Sequence, residues 1–319
     1  MEERLLGTTG LRVSALGLGT LTWGRDTDEQ EAAEQLHDFI EAGGTLLDTA
    51  ASYADGAAEE LIGSLLASSV ARDDVVLCTK AGIRRTGQGG VVDASRGALL
   101  SSLDASLARR GTDHVDLWLV QTPDPRTPLA ETAAALRHAV ESGRARYVGL
   151  SNHPGWQTAR VATLLEQSTP LAAVEVEYSL LQRGVEREVV PAAAALGAGV
   201  LAWSPLGRGV LTGKYRRSIP ADSRAASAHL SGFVDPYLGP DSTPVVEALA
   251  TAAEGLERPM LDVALAWVLG RPQVASAVVG ARTAAQLRSA LEADLDLPPA
   301  IEHALDEVSA PASGYPESR

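Results

Sequence analysis

The chain has 319 residues, 45% hydrophobic and 21% charged, with a formal net charge of -14 and a sequence pI near 4.9. That apolar content suffices for a sizeable core, while the acidic balance repels phosphate backbones and anionic surfaces and so speaks against nucleic acid or a membrane as partner. Cys78 is the only cysteine, which excludes an intramolecular disulfide and argues against a cysteine-based metal site. Neither a secretion signal nor an apolar run of about 18 residues is present, so a cytoplasmic location is expected. Any site for an anionic ligand has to be built locally from Arg, Lys and backbone N–H groups.

In chain order, LLGTTGLRVSAL places two short apolar segments around a Thr-Gly turn, the pattern of a small hairpin that would plug a barrel floor. Eight strands follow: Ala15 to Gly19, Thr45 to Asp48, Val75 to Lys80, Val115 to Gln121, Tyr147 to Ser151, Ala173 to Tyr178, Val200 to Ser204 and Ser276 to Gly280. Runs such as VVLCT and VLAWS are apolar without alternation, as expected of strands buried on both faces. Helical patterns separate them at Glu59 to Ser68, Ala94 to Arg110, Leu129 to Ser142 and Arg187 to Leu196. Repeated βα units predict an α/β fold, a single (β/α)8 TIM barrel, with a long loop from Pro205 to Pro244 after strand seven. The barrel domain is read as 1–310 and a flexible C-terminal tail as 311–319. No Gly-x-Gly-x-x-Gly opens a helix after an early strand, which argues against a doubly wound dinucleotide fold.

Barrel chemistry sits on loops at the carboxyl ends of the strands. Asp48, Lys80 and Gln121 each close an apolar run, and Tyr53 follows Asp48 by five positions. An ammonium beside a phenol favours phenolate, so Lys80 is expected to lower the Tyr53 pKa while Asp48 holds the lysine. Taken singly, these residues also read plainly as a helix cap, a packed aromatic and a snorkelling strand end.

The blocks LLDTAASY, CTKAG, YVGLSN, WSPLGRGVLTGKY and VVGARTAAQL together resemble the aldo-keto reductase superfamily from Leu5 to about Leu291. The SPLGRGVLTGKY form is most similar to bacterial branches related to potassium-channel β subunits and to deoxysugar reductases. The resemblance implies NADP(H) as cofactor and a small-molecule carbonyl substrate. It implies Tyr53 as general acid tuned by Lys80 and Asp48, with Gln121 as fourth member of the tetrad. It further implies cofactor contacts from Thr20, Ser151, Asn152, Glu175, Trp203, Ser204, Leu206, Gly209, Lys214, Gly280, Arg282 and Gln286. Trp203 matches an aromatic that stacks on the nicotinamide, Lys214 lies in the pyrophosphate loop, and Arg282 favours a 2′-phosphate.

Two departures matter. Gln121 stands where the family normally has histidine; it can donate an N–H but cannot become a cation. Glu175 stands where a glutamine is common, and a charge beside the nicotinamide would alter redox preference. His153 follows Ser-Asn and reads as a loop-packing residue. Three functional readings follow: reduction of an aldehyde or ketone, reduction of a conjugated carbon–carbon bond, and a non-catalytic NADPH-binding regulatory subunit. Substrate determinants fall in Gly82 to Gly90, Thr122 to Pro128 and Arg216 to Pro244; the substrate and the oligomeric state stay open.

Overall fold

The computed structural model describes residues 1–86, 89–165, 169–221, 223–312 and 314. Eight parallel strands close into a barrel: β3 (Leu16–Gly19), β4 (Leu46–Asp48), β5 (Val76–Ala81), β8 (Val115–Val120), β9 (Ala145–Ser151), β10 (Leu171–Glu177), β11 (Gly199–Trp203) and β12 (Val274–Val279), with β12 hydrogen-bonded to β3. Each expected strand is present, with ends shifted by one or two residues. Both faces of β8 show why continuous apolar runs were needed. Leu117 and Leu119 fill the barrel interior with Leu46, Cys78, Ala173 and Leu201, while Trp118 and Val120 pack outward on the helices with Leu103 and Leu136.

The helices are α1 (Glu29–Glu41), α2 (Ala57–Ser68), α3 (Arg96–Arg110), α4 (Leu129–Glu141), α5 (Gly155–Leu165), α6 (Val189–Leu196), α7 (Ser231–Val234), α8 (Thr243–Gly255), α9 (Met260–Leu269), α10 (Ala284–Leu291) and α11 (Pro299–Val308). Side-chain caps start several of them: Asp28 for α1, Ser95 for α3 and Thr283 for α10 each accept a backbone N–H of the first turn, satisfying a donor that the helix itself cannot. None of the described helices is long and apolar enough to cross a membrane.

The N-terminal hairpin, β1 (Glu3–Leu5) paired with β2 (Arg12–Ser14), closes the floor. Leu6 and Val13 are fully buried against the interior residues, and the turn is bonded to the strand-seven side through Thr8 N–H to the Gly197 carbonyl at 2.8 Å. Gly7 sits at φ +62 with the Gly197 oxygen 2.1 Å from where a Cβ would be, so no side chain fits there. Leu6→Ala is expected to cost about 3 kcal/mol through lost transfer energy and the cavity left in the plug. Denaturant unfolding measures it; a loss under about 0.5 kcal/mol would show that the floor does not depend on this side chain.

Two connections differ from expectation. Between Gly82 and Gly90, the expected loop is instead the start of a second hairpin, β6 (Ile83–Thr86) with β7 (Gly89–Val92). After β11, the expected long loop is a succession of short helical turns, at Gly207–Thr212, Arg224–Ala226, α7, Asp235–Tyr237 and Pro240–Ser242. Val210, Leu211, Val234 and Tyr237 of this segment are buried in the core. Their irregular spacing carries no helical or strand period, which is why pattern reading assigned a loop. The tail expected over 311–319 falls mostly outside the described residues.

Candidate active site

At the carboxyl end of the barrel one cleft, with a cavity volume of about 490 Å³, gathers residues from all eight strand ends and their loops. All sixteen residues singled out in the sequence line it: Asp48, Tyr53, Lys80 and Gln121 together with Thr20, Ser151, Asn152, Glu175, Trp203, Ser204, Leu206, Gly209, Lys214, Gly280, Arg282 and Gln286.

The floor is an ionic cluster. Lys80, at the end of β5, donates to both oxygens of Asp48 at 2.6 and 2.8 Å and to the Thr49 carbonyl at 2.9 Å. A second carboxyl, Glu175 on β10, approaches the same ammonium at 3.3 Å. Burial disfavours the charged form of a lysine, but carboxyl neighbours outweigh that cost here, and Asp48 and Glu175 hold the Lys80 ammonium well above its ordinary value. Thr20 fixes the backbone beneath, its N–H and hydroxyl both donating to the Asp48 carbonyl at 3.0 Å.

Tyr53 is carried on a tight turn after β4, where Ala54, Asp55 and Gly56 all take positive φ before α2 begins. Its ring lies 5.3 Å from the Lys80 ammonium. The expected lowering of its pKa is corrected here: the phenol is raised above its ordinary value. Burial is the largest cause, the Asp48 charge and, once ionised, that of Glu175 add to it, and Lys80 opposes them without prevailing. The ammonium alone would lower the phenol, but the dry surroundings and the neighbouring carboxyls offset it.

Gln121 is the first residue beyond β8. Its side-chain oxygen accepts from Ser52 Oγ at 3.0 Å, which leaves the amide NH₂ as its donor toward the cleft. His153 does not supply a missing cation. It is buried with Nδ1 on the Ser151 carbonyl at 2.8 Å, and burial pushes its pKa down to about 4.

On the other side, Asn152 and Ser204 turn the chain at positive φ immediately after β9 and β11, conformations that cost energy outside glycine and concentrate at functional sites. Asn152 Nδ2 donates to the Gln121 carbonyl at 2.9 Å and to Ser151 Oγ at 3.0 Å, and its Oδ1 accepts the Trp203 indole N–H at 3.0 Å. The indole is therefore locked in place. Along the rim, Gly209 at φ +94 leaves room for the Lys214 ammonium, 3.1 Å from where a Cβ would be. Arg282 and Gln286 are joined through Arg282 N–H to Gln286 Oε1 at 3.1 Å.

Among the lining residues not singled out individually in the sequence are Arg208, Arg224 and Phe233, the last two within the stretch expected to hold substrate determinants. Arg208 is bidentate on Glu177 at 2.7 and 2.6 Å and stacks 4.2 Å from the Phe233 ring centre, while Phe233 runs nearly parallel to Trp203 at 6.4 Å. No spacing announces them, since they lie in the aperiodic segment after β11. Also missed was a buried network behind the floor. Glu59 on α2 accepts from Thr79, the neighbour of Lys80, at 2.6 Å, from Ser106 at 3.0 Å, and from Arg109 and Arg110.

A closed parallel barrel that brings an acid, a lysine and a tyrosine together at its carboxyl end has the architecture of a barrel enzyme. The aldo/keto reductase family pattern matches residues 15–308, and the chain belongs to that family, a family of oxidoreductases. It is 35% identical to the uncharacterized oxidoreductase YrpG of Bacillus subtilis (strain 168), over 100% of this chain and 99% of that protein. It is 36% identical to the L-glyceraldehyde 3-phosphate reductase of Escherichia coli (strain K12), over 92% and 87% of the two chains. A probable voltage-gated potassium channel subunit beta of Oryza sativa subsp. japonica is 34% identical over 99% and 98%.

Proposed function

We propose that this protein reduces an aldehyde or ketone to an alcohol, taking hydride from NADPH and the proton from Tyr53. The observation that carries this reading is the Asp48–Lys80 pair set beside Tyr53 at the floor of a cleft that also exposes Gln121, Asn152 and Trp203. An aldehyde substrate is also consistent with the similarity to the L-glyceraldehyde 3-phosphate reductase of E. coli.

The residues fit a phosphorylated dinucleotide. In a chain of net charge -14, five cations line one cleft: Lys80 and Arg208, each ion-paired with a carboxylate, and Lys214, Arg224 and Arg282. Burial first, then the neighbouring Arg282, hold the Arg224 guanidinium below its ordinary value, the state of two like charges that an anion would relieve. Ser151 and Asn152 would hold the carboxamide, Trp203 the ring, Ser204, Leu206, Gly209 and Lys214 the pyrophosphate, and Arg282 and Gln286 the adenosine end, with Thr20 and Gly280 at the edge. The bound cofactor supplies the hydride.

The chain's own residues do the rest. Gln121 donates an N–H to the substrate oxygen and polarises the carbonyl. Tyr53 holds its proton at neutral pH and releases it to that oxygen as negative charge develops there, an alkoxide being more basic than a phenolate. Lys80, fixed by Asp48, stabilises the phenolate left behind. The neutral His153 takes no part in proton transfer.

The reading is tested by NADPH fluorescence titration followed by turnover with a panel of aldehydes and ketones. Saturable binding and NADPH oxidation with an alcohol product support it. Binding without turnover of any carbonyl would favour the regulatory-subunit reading, and a saturated carbonyl product from an enone would favour the carbon–carbon reduction. For the adenosine end, Arg282→Ala is expected to weaken NADPH binding about 10- to 100-fold, the worth of a charge-assisted hydrogen bond, and to leave NADH nearly unchanged. Equal weakening of both would remove Arg282 from the 2′-phosphate role.

A further inference from the structure

Lys80 carries one positive charge between two carboxyl groups, Asp48 and Glu175, and all three residues are about 2% exposed. Asp48 grips the ammonium with both oxygens. Glu175 reaches it through Oε1 alone, at 3.3 Å, and its Oε2 is buried without a hydrogen-bond partner among the described residues. Two ionised carboxylates with one cation leave a buried net negative charge, and the closer, bidentate partner is the one that keeps its charge. The proton therefore resides on Glu175, whose carboxyl is pushed up to about 8 by burial first and by the Asp48 charge second.

Glu175 lines the cleft with Ser151, Asn152 and Trp203, and it pairs in register with Ser151 on β9 and Leu201 on β11, neither of which titrates. The charged and titratable groups facing it are Asp48 from β4, Cys78 and Lys80 from β5, and Tyr53. Cys78, Lys80 and Tyr53 are all raised above their ordinary values, so they keep their protons through the neutral range. Asp48 and Glu175 are left as the pair that exchanges one proton.

We propose that Glu175 makes the cleft discriminate between the two redox states of its cofactor, holding the oxidised ring more tightly when its own carboxyl has released a proton. The proposal rests on the reading of the cleft as a nicotinamide site and concerns a residue to which that reading gives no proton. The oxidised ring is cationic and the reduced ring is neutral. A cation brought against a carboxyl favours its ionised form by about 1–3 pKa units. Binding of the oxidised form thus converts the Glu175 carboxylic acid into a carboxylate and sends one proton to solvent; no bond to the cofactor is made and no electron moves. The sign follows by linkage. Below about pH 8 the proton release opposes binding, so NADP+ affinity rises with pH and levels off once Glu175 is already ionised, while NADPH affinity is indifferent to this group.

The test measures Kd for NADP+ and NADPH by titration calorimetry from about pH 6 to about pH 9, in two buffers of different ionisation enthalpy, for the wild type and Glu175→Gln. In the wild type the ratio Kd(NADP+)/Kd(NADPH) is expected to fall about tenfold or more across that window, the least that a one-unit shift produces. NADP+ binding should release up to about one proton more than NADPH binding, a difference from which the phosphates common to both ligands cancel. In Glu175→Gln the ratio should no longer vary with pH and the extra proton should disappear. A pH-independent ratio in the wild type, or extra proton release that survives in Glu175→Gln, overturns the proposal while leaving the cofactor reading intact. Failure of the wild type to bind either nucleotide overturns the cofactor reading and this proposal with it. Should Glu175→Gln not fold, the wild-type proton difference alone decides.

Discussion

Tyr53→Phe loses carbonyl reduction by about 10²- to 10⁴-fold in kcat while binding NADPH within a few-fold of the wild type, the expected result of removing a general acid without disturbing its surroundings. The hydroxyl faces Lys80 in a pocket closed by Asp48 and Glu175, and phenylalanine keeps the ring that fills the space. Because burial raises the phenol, the proton is in place across the whole physiological range. Wild-type kcat should accordingly show no loss on the alkaline side until well above neutral pH. A Tyr53→Phe enzyme with wild-type kcat would remove tyrosine from the mechanism, and an early alkaline fall that persists in it would point to another group.

The second large effect concerns stability. Glu59→Gln is expected to destabilise the fold by about 3–5 kcal/mol, because it leaves the buried guanidinium of Arg110 and its neighbour Arg109 without their counter-charge. Arg110 has no exposed side-chain surface; its Nη1 donates to Glu59, and its Nε and Nη2 have no hydrogen-bond partner among the described residues. The Glu59 carboxyl is held below the ordinary glutamate range, with the Arg110 charge chief among the groups that lower it against the cost of burial. A depressed carboxylate contributes stability above its unfolded-state pKa and loses it as pH falls through the folded one. The gap between wild type and Glu59→Gln should therefore be full at neutral pH and shrink only below about pH 4. Urea unfolding at both ends of that range checks it; a gap under about 1 kcal/mol at pH 7 would show that water or backbone replaces the lost charge.

How much of this was legible in the sequence depends on the kind of signal. Asp48, Lys80 and Gln121 were readable because each ends an apolar run, and a barrel strand buried on both faces tolerates a polar group only there. Ser151, Trp203, Lys214 and Arg282 were legible only through the resemblance of their sequence blocks to the aldo-keto reductases. Glu59 was not readable: in the stretch AAEEL it looks like any glutamate of a first helical turn, and only the packing of α2 on α3 and β5 turns it inward. Arg208, Arg224 and Phe233 lie in a segment with no period, so nothing in their spacing distinguishes them from solvated loop residues. The direction of the Tyr53 shift was misjudged because the sequence names the neighbouring charges but not how far water is excluded from them.

The hairpin under the barrel bears on kinetics. Thr8 pairs with Gly197, 189 residues further along the chain, so the plug cannot seat until the β11 side of the barrel is in position. Contacts of such long sequence separation slow folding, since the loop they close is ordered before they reward it. Seating the hairpin is then a late step, and the barrel should gain its last protection against hydrogen exchange at Leu6 and Val13 only when the ring of strands is complete.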